Sequence, residues 1–143
     1  MTEIRFYVNV TDQTAYTCRL VRKAVRTGAK VTVAGPPAVL ARLDRALWEF
    51  DPLEFVPHVM PRPGQTLAPR LRTTPVWLVA DLAQAAHHDV LVNLFSEPPP
   101  GFEGFARVVE IVPADEAELA AGRQRWRYYA TRGYAPEKHE VAA

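Results

Sequence analysis

Hydrophobic and polar positions fall into short blocks whose period switches repeatedly between two and about 3.6 residues. Residues 3–10 (EIRFYVNV) are β-branched and aromatic, which predicts a strand. In residues 13–27, Cys18, Leu20, Val21, Ala24 and Val25 fall on one side of a helix, and Arg19, Arg22, Lys23 and Arg26 on the other. Asp12 offers a cap for that helix and Gly28 a stop. Residues 30–34 (KVTVA) predict a second strand. Gly35-Pro36-Pro37 opens a second helix that runs to about Trp48, with Val39, Leu40, Leu43 and Leu47 as its core stripe. Residues 54–59 are short and extended, and 60–74 (MPRPGQTLAPRLRTT) form an expected mobile loop. Residues 75–80 (PVWLVA) and 89–95 (DVLVNLF) are continuous apolar runs, suited to strands covered on both faces. A single helical turn fits between them. Residues 97–101 (EPPPG) make a rigid turn, and 105–112 (FARVVEIV) another strand. A last helix spans about 115–132, acidic in its first turn and carrying Arg123, Arg125, Arg127 and Arg132 later, in accord with the helix dipole; Gly133 closes it. Strands alternating with helices predict one α/β domain over 1–143, a three-layer sandwich around a mostly parallel sheet.

Composition adds limits. A chain of 143 residues, 48% hydrophobic, is of ordinary single-domain size and needs no disulfide or metal staple. A formal charge of +1 excludes a strongly basic whole-surface footprint for nucleic acid. The lone cysteine, Cys18, fits a reducing compartment. No apolar run reaches the roughly 20 residues of a membrane span. The N-terminus lacks a signal-peptide pattern. The expectation is a cytoplasmic protein.

The common chemical motifs are missing. Gly28-Ala29-Lys30 precedes a strand and is no phosphate loop. In the turn Ala34-Gly35-Pro36-Pro37, both prolines lack the N–H that a phosphate would accept. His87-His88-Asp89 has no third ligand at zinc-like spacing. His58 follows a strand and is expected to be partly buried on a backbone partner. Cys18 sits on an apolar helix face, as a small core residue does. Ser96 is the only serine and has no nucleophile-elbow context. No catalytic site, metal or cofactor is therefore expected.

Three surfaces remain. The basic face of the first helix (Arg19, Arg22, Lys23, Arg26) is either a solvated face or an attraction for nucleic acid, which makes a direct nucleic-acid-binding module the alternative function. On the last helix, Leu119, Trp126 and Tyr129 form a core-facing stripe. Arg123 and Arg127, four apart, flank Trp126, an arrangement able to grip a carboxylate while the ring packs an apolar group. The other reading is a core tryptophan with solvated arginines. The third surface lies in LDRALWEFDPLEFVPHVM (43–60). Trp48 and Phe50 come just after the core residue Leu47 and cannot all point inward with it, so part of this group belongs on the surface.

The ordered set FYVN (6–9), LDRALWEFDPLEFVPH (43–58), DVLVNL (89–94), FARVVEIVP (105–113) and RQRWRYYATRGY (123–134) resembles the chi subunit of bacterial DNA polymerase III over nearly the whole chain. The resemblance implies a Rossmann-like sheet without a nucleotide site, in a non-enzymatic accessory subunit of the clamp-loader complex. It implies two contacts. One is the acidic C-terminal tail of single-stranded DNA-binding protein, at positions matching Arg123, Trp126, Arg127 and Val112. The other is the psi subunit or a repair helicase, at positions matching Trp48 and Phe55. A further family basic residue falls near Leu119 here, where this chain departs from the family pattern.

Overall fold

The computed structural model describes residues 1–49, 55–62 and 64–142. Its strands are β1 (Glu3–Val10), β2 (Val31–Ala34), β3 (His58–Val59), β4 (Val76–Val79), β5 (Val90–Asn93), β6 (Arg107–Pro113) and β7 (Glu137–Glu140). Its helices are α1 (Gln13–Arg26), α2 (Pro37–Glu49) and α3 (Glu116–Thr131). The strands form one seven-stranded sheet in the order β3-β4-β2-β5-β6-β1-β7, and every pairing is parallel.

The period-2 alternation of each strand builds a core on either face. Val31, Val33, Val76, Leu78, Val92, Val109 and Ile111 point to the side of α1 and α2, where Cys18, Val21, Leu40, Leu43 and Leu47 meet them. Phe6, Trp77, Val79, Leu91, Val108 and Val112 point to the other side, where Tyr129 of α3, together with Phe102 and Phe105 from the segment before β6, closes over them. Burial of one such aliphatic side chain stabilises the fold by about 1.5–3 kcal/mol. Asp12 caps α1 by accepting from the Ala15 N–H at 3.1 Å. Asp115 caps α3, accepting from Ala117 N at 2.7 Å and Glu118 N at 3.3 Å.

Strand β1 changes face near its end. Ile4, Phe6 and Val8 pack on the α3 side, but Val10 packs on the α1 side. Between the pairs Tyr7↔Ile111 and Val10↔Pro113, β1 advances three residues while β6 advances two. The extra residue forms a bulge at Asn9, whose φ is +64°. Asparagine tolerates that left-handed conformation better than other L-residues do. Its Nδ2 donates to the Val141 carbonyl at 3.1 Å, and Val141 N donates to Val8 O at 2.9 Å. Asn9 thereby fastens the end of β7 to β1. Asn9→Val is expected to lower stability by about 1–2 kcal/mol, from the left-handed strain and the lost bond. Asn9→Gly should cost less, because it loses only the bond. Urea denaturation of both variants distinguishes the contributions.

Two features depart from the sequence expectation. Strand β7 was not expected: its EKHE sequence is exposed at every position and has no apolar face. The expected mobile loop contains a 3-10 turn at Pro69–Thr73. Gln84 Nε2 donates to Arg62 O at 2.8 Å.

Candidate functional site

The α3 stripe that faces the sheet is Gly122, Arg125, Trp126 and Tyr129, at helical spacings of three, one and three. Gly122 sets the closeness of approach. A Cβ there would stand 3.0 Å from Val112 Cγ1, so any side chain at this position would force Val112 to give way by a few tenths of an ångström. Arg125 and Tyr129 reach a buried carboxylate, Glu110, in the middle of β6. Arg125 Nε donates to Glu110 Oε1 at 2.8 Å, the Tyr129 hydroxyl donates to Oε2 at 2.7 Å, and Asn93 Nδ2 donates to Oε2 at 2.9 Å. Arg125 also donates to Ser96 O at 3.1 Å. Glu110 and Tyr129 are fully buried, and Arg125 is 3% exposed. Burial pushes the Glu110 carboxyl up from its ordinary value, and Arg125 with the two neutral donors pulls it back. Burial and the adjacent carboxyl push the Tyr129 phenol well above its usual range, so it remains a donor.

This network fixes the rotation of α3, and the rotation decides what the neighbouring residues face. Trp126 leans on Phe6 of β1, ring centroids 5.1 Å apart. Arg123 and Arg127, both exposed, join it in lining the same cavity. Together they line a pocket of about 480 Å³ with Phe6, Val8, Val112, Leu119, Gly122 and, from the sheet edge, Asn9, Lys138 and Glu140. The floor is apolar. Arg123, Arg127 and Lys138 make no ion pair among the described residues, so three cations face one carboxylate, Glu140. An apolar floor with a cationic rim suits a ligand with a hydrophobic group beside a carboxylate.

The structure thus brings Arg123, Trp126, Arg127 and Val112 into one cavity. Arg125 is different from the arginines around it: it belongs to the buried ion pair and is not solvated. Lys138 was missed by the sequence reading because β7 was missed. The buried pair did leave a trace, since Glu110 is a lone charge inside Val108-Val109-Glu110-Ile111-Val112.

Trp48 and Phe55 lie at the opposite edge of the sheet. Their rings are 5.0 Å apart and 59% and 60% exposed, whereas the neighbouring Leu47 is 1% exposed. They rest on His58 of β3, 5.1 Å from the Trp48 ring. The His58 ring is held by Val56 O at 2.8 Å and Asp44 Oδ1 at 2.9 Å, which bears out the backbone partner expected for it. Phe50 and Pro52 lie outside the described residues.

The basic face of α1 is present, with Arg19, Lys23 and Arg26 exposed and Arg22 half-buried. Arg19 sits 5.7 Å over the Tyr16 ring. In the turn after β2, a Cβ on Gly35 would stand 3.1 Å from Leu94 Cβ, so this glycine serves packing. The Asp12 carboxylate occupies the N-terminus of α1, where an anion would otherwise bind. Burial pushes the Cys18 thiol up to about 11, which leaves it protonated at neutral pH and a poor nucleophile. Burial lowers His87, and no metal-binding cluster occurs among the described residues. No helix among them is long and apolar enough to cross a membrane.

These features define a doubly wound α/β protein with no phosphate loop, presenting a cationic pocket at one sheet edge and an aromatic pair at the other. A family profile described as DNA polymerase III chi subunit, HolC, matches residues 1–137, and the chain belongs to that family of non-catalytic replication accessory subunits. It is similar to DNA polymerase III subunit chi of Pseudomonas aeruginosa, 32% identical over 146 aligned positions, 99% of this chain and 98% of the relative. The subunit of Haemophilus influenzae is 29% identical over 118 positions, covering 82% and 79% of the two chains. That of Escherichia coli is 28% identical over 119 positions, covering 82% and 78%.

Proposed function

We propose that this chain bridges the clamp-loader complex of DNA polymerase III to the acidic C-terminal tail of single-stranded DNA-binding protein, in the cytoplasm, during DNA replication. The observation that carries this reading is the convergence of Arg123, Trp126, Arg127 and Val112 on one pocket with an apolar floor. An acidic peptide ending in an apolar residue and a free carboxylate matches that chemistry. The terminal carboxylate pairs with Arg123 and Arg127, and the last side chain packs on Phe6, Val112 and Trp126. Such a contact is small, so micromolar affinity is expected, and its electrostatic part weakens with salt.

The second contact is the exposed pair Trp48 and Phe55, as the docking point for the psi subunit, where the genome encodes one, or for a repair helicase. Aromatic side chains that expose this much area are the usual anchors of protein interfaces. The two contacts lie at opposite edges of the sheet. From β3 to β1 there are five strand spacings, about 24 Å, so both partners fit at once.

A bridging assay tests the reading. The chain, the purified clamp-loader partner and single-stranded DNA-binding protein are mixed and followed by analytical size exclusion. The wild type is expected to give a ternary complex. Trp48→Ala should lose the clamp-loader end by about tenfold or more and retain the tail end. Its melting temperature should barely move, because the ring is 59% exposed. Loss of both ends, or of neither, contradicts the two-surface reading.

A further inference from the structure

The rim that α3 contributes to the pocket is cationic only in part. Arg123 and Arg127 supply its charge, but one turn earlier Leu119 presents an apolar, half-buried side chain. Nothing on α3 before Arg123 can meet a second negative group, because its first turn is acidic. The opposite wall of the pocket is β7, and the alternation of this strand sorts its charges. Glu137 and His139 point to the α1 side: Glu137 lies 4.0 Å from Arg5, and His139 stacks on Tyr7 at 5.2 Å. Lys138 and Glu140 point into the pocket, in register with Phe6 and Val8, which form its floor. Lys138 is exposed and makes no ion pair among the described residues. It therefore stands across the apolar floor from Trp126 as an available cation.

We infer that Lys138 binds an acidic side chain of the pocket's peptide ligand, upstream of its terminal carboxylate. β7 thus supplies the charge that the Leu119 position of α3 lacks. This rests on the reading of the pocket as a site for an acidic peptide with a free C-terminus. The arrangement divides the labour. Arg123 and Arg127 read the terminus, Lys138 reads an acidic side chain, and Glu140 repels negative charge from the far end of β7. Asn9, which fastens the end of β7 to β1, keeps Lys138 in place.

The test is fluorescence anisotropy with three labelled peptides: an acidic peptide with an apolar last residue and a free C-terminus, the same peptide with its acidic side chains changed to amides, and the acidic peptide with an amidated C-terminus. Lys138→Ala is expected to weaken the first peptide roughly threefold to fivefold, the scale of an exposed ion pair. It should leave the affinity of the second unchanged. In Lys138→Ala the penalty for C-terminal amidation should persist in full, whereas in Arg123→Ala, where only Arg127 still meets the terminus, it should shrink. Glu140→Gln should tighten the first peptide. Wild-type binding that Lys138→Ala leaves untouched for all three peptides overturns the assignment of Lys138 and spares the pocket. Absence of wild-type binding to every peptide overturns both. Lys138 is exposed on an edge strand, so its loss does not threaten folding.

Discussion

Arg123→Ala is expected to weaken binding of an acidic, free-C-terminal peptide by about 2 kcal/mol, or roughly thirtyfold. The reason is the chemistry of the pocket. Arg123 is a guanidinium on the rim with no internal ion pair among the described residues, beside an apolar floor that lowers the local dielectric. A carboxylate seated there gains charge-assisted, fork-shaped hydrogen bonds. Lysine cannot reproduce the fork, so Arg123→Lys should recover only part of the affinity. The side chain is exposed, so neither change should alter the melting temperature by more than a degree or two, as for surface substitutions generally. Equal affinity of wild type and Arg123→Ala would remove the proposed carboxylate clamp.

Glu110→Ala should have the largest effect on stability. Removing one partner of a buried ion pair typically costs about 3–5 kcal/mol. Here the change also leaves the Tyr129 hydroxyl and one Asn93 donor bond without their acceptor. Urea denaturation should show a greatly lowered midpoint. Arg125→Met makes the complementary test, because it leaves Glu110 buried without its cation. Burial already raises the Glu110 carboxyl above its ordinary 4.5, and loss of Arg125 raises it further. A carboxyl that is raised in the folded state stabilises the fold most below its unfolded value. That stability is lost as pH rises through the folded value. Arg125→Met should therefore weaken progressively as pH rises above 4.5, more steeply than the wild type. A flat difference between the two proteins across that range would contradict the assignment of Glu110 as the uncompensated group.

Much of this architecture was legible in the sequence, and the exceptions have physical causes. Periodicity placed α1 and α2, because Val21 and Leu40, Leu43, Leu47 mark faces that are buried as expected. Trp48 was placed outward by its position next to Leu47, and the flanking of Trp126 by Arg123 and Arg127 followed from helical geometry. Strand β7 carried no such signal. Its residues are all exposed, and it exists because the open edge of β1 offers hydrogen bonds and Asn9 ties its end. The inward turn of Arg125 was hidden for a related reason. A hydrophobic pattern counts every arginine as surface, and only pairing with Glu110 across the helix–sheet contact makes this one part of the core. The pocket itself needed both missing pieces, since Lys138 comes from the first and the orientation of α3 from the second.

The three tryptophans allow a direct test of where the peptide binds. Trp126 lines the pocket, Trp77 is buried on β4, four strand spacings or about 19 Å from β1, and Trp48 lies at the other edge. In a ¹⁵N-labelled sample each gives one indole N–H resonance, assignable by single Trp→Phe variants. Titration with an acidic, free-C-terminal peptide is predicted to shift the Trp126 indole saturably and leave those of Trp48 and Trp77 in place. A Trp126 resonance that stays fixed at saturating peptide, with shifts confined to α1 or to Trp48, would contradict the pocket as the binding site.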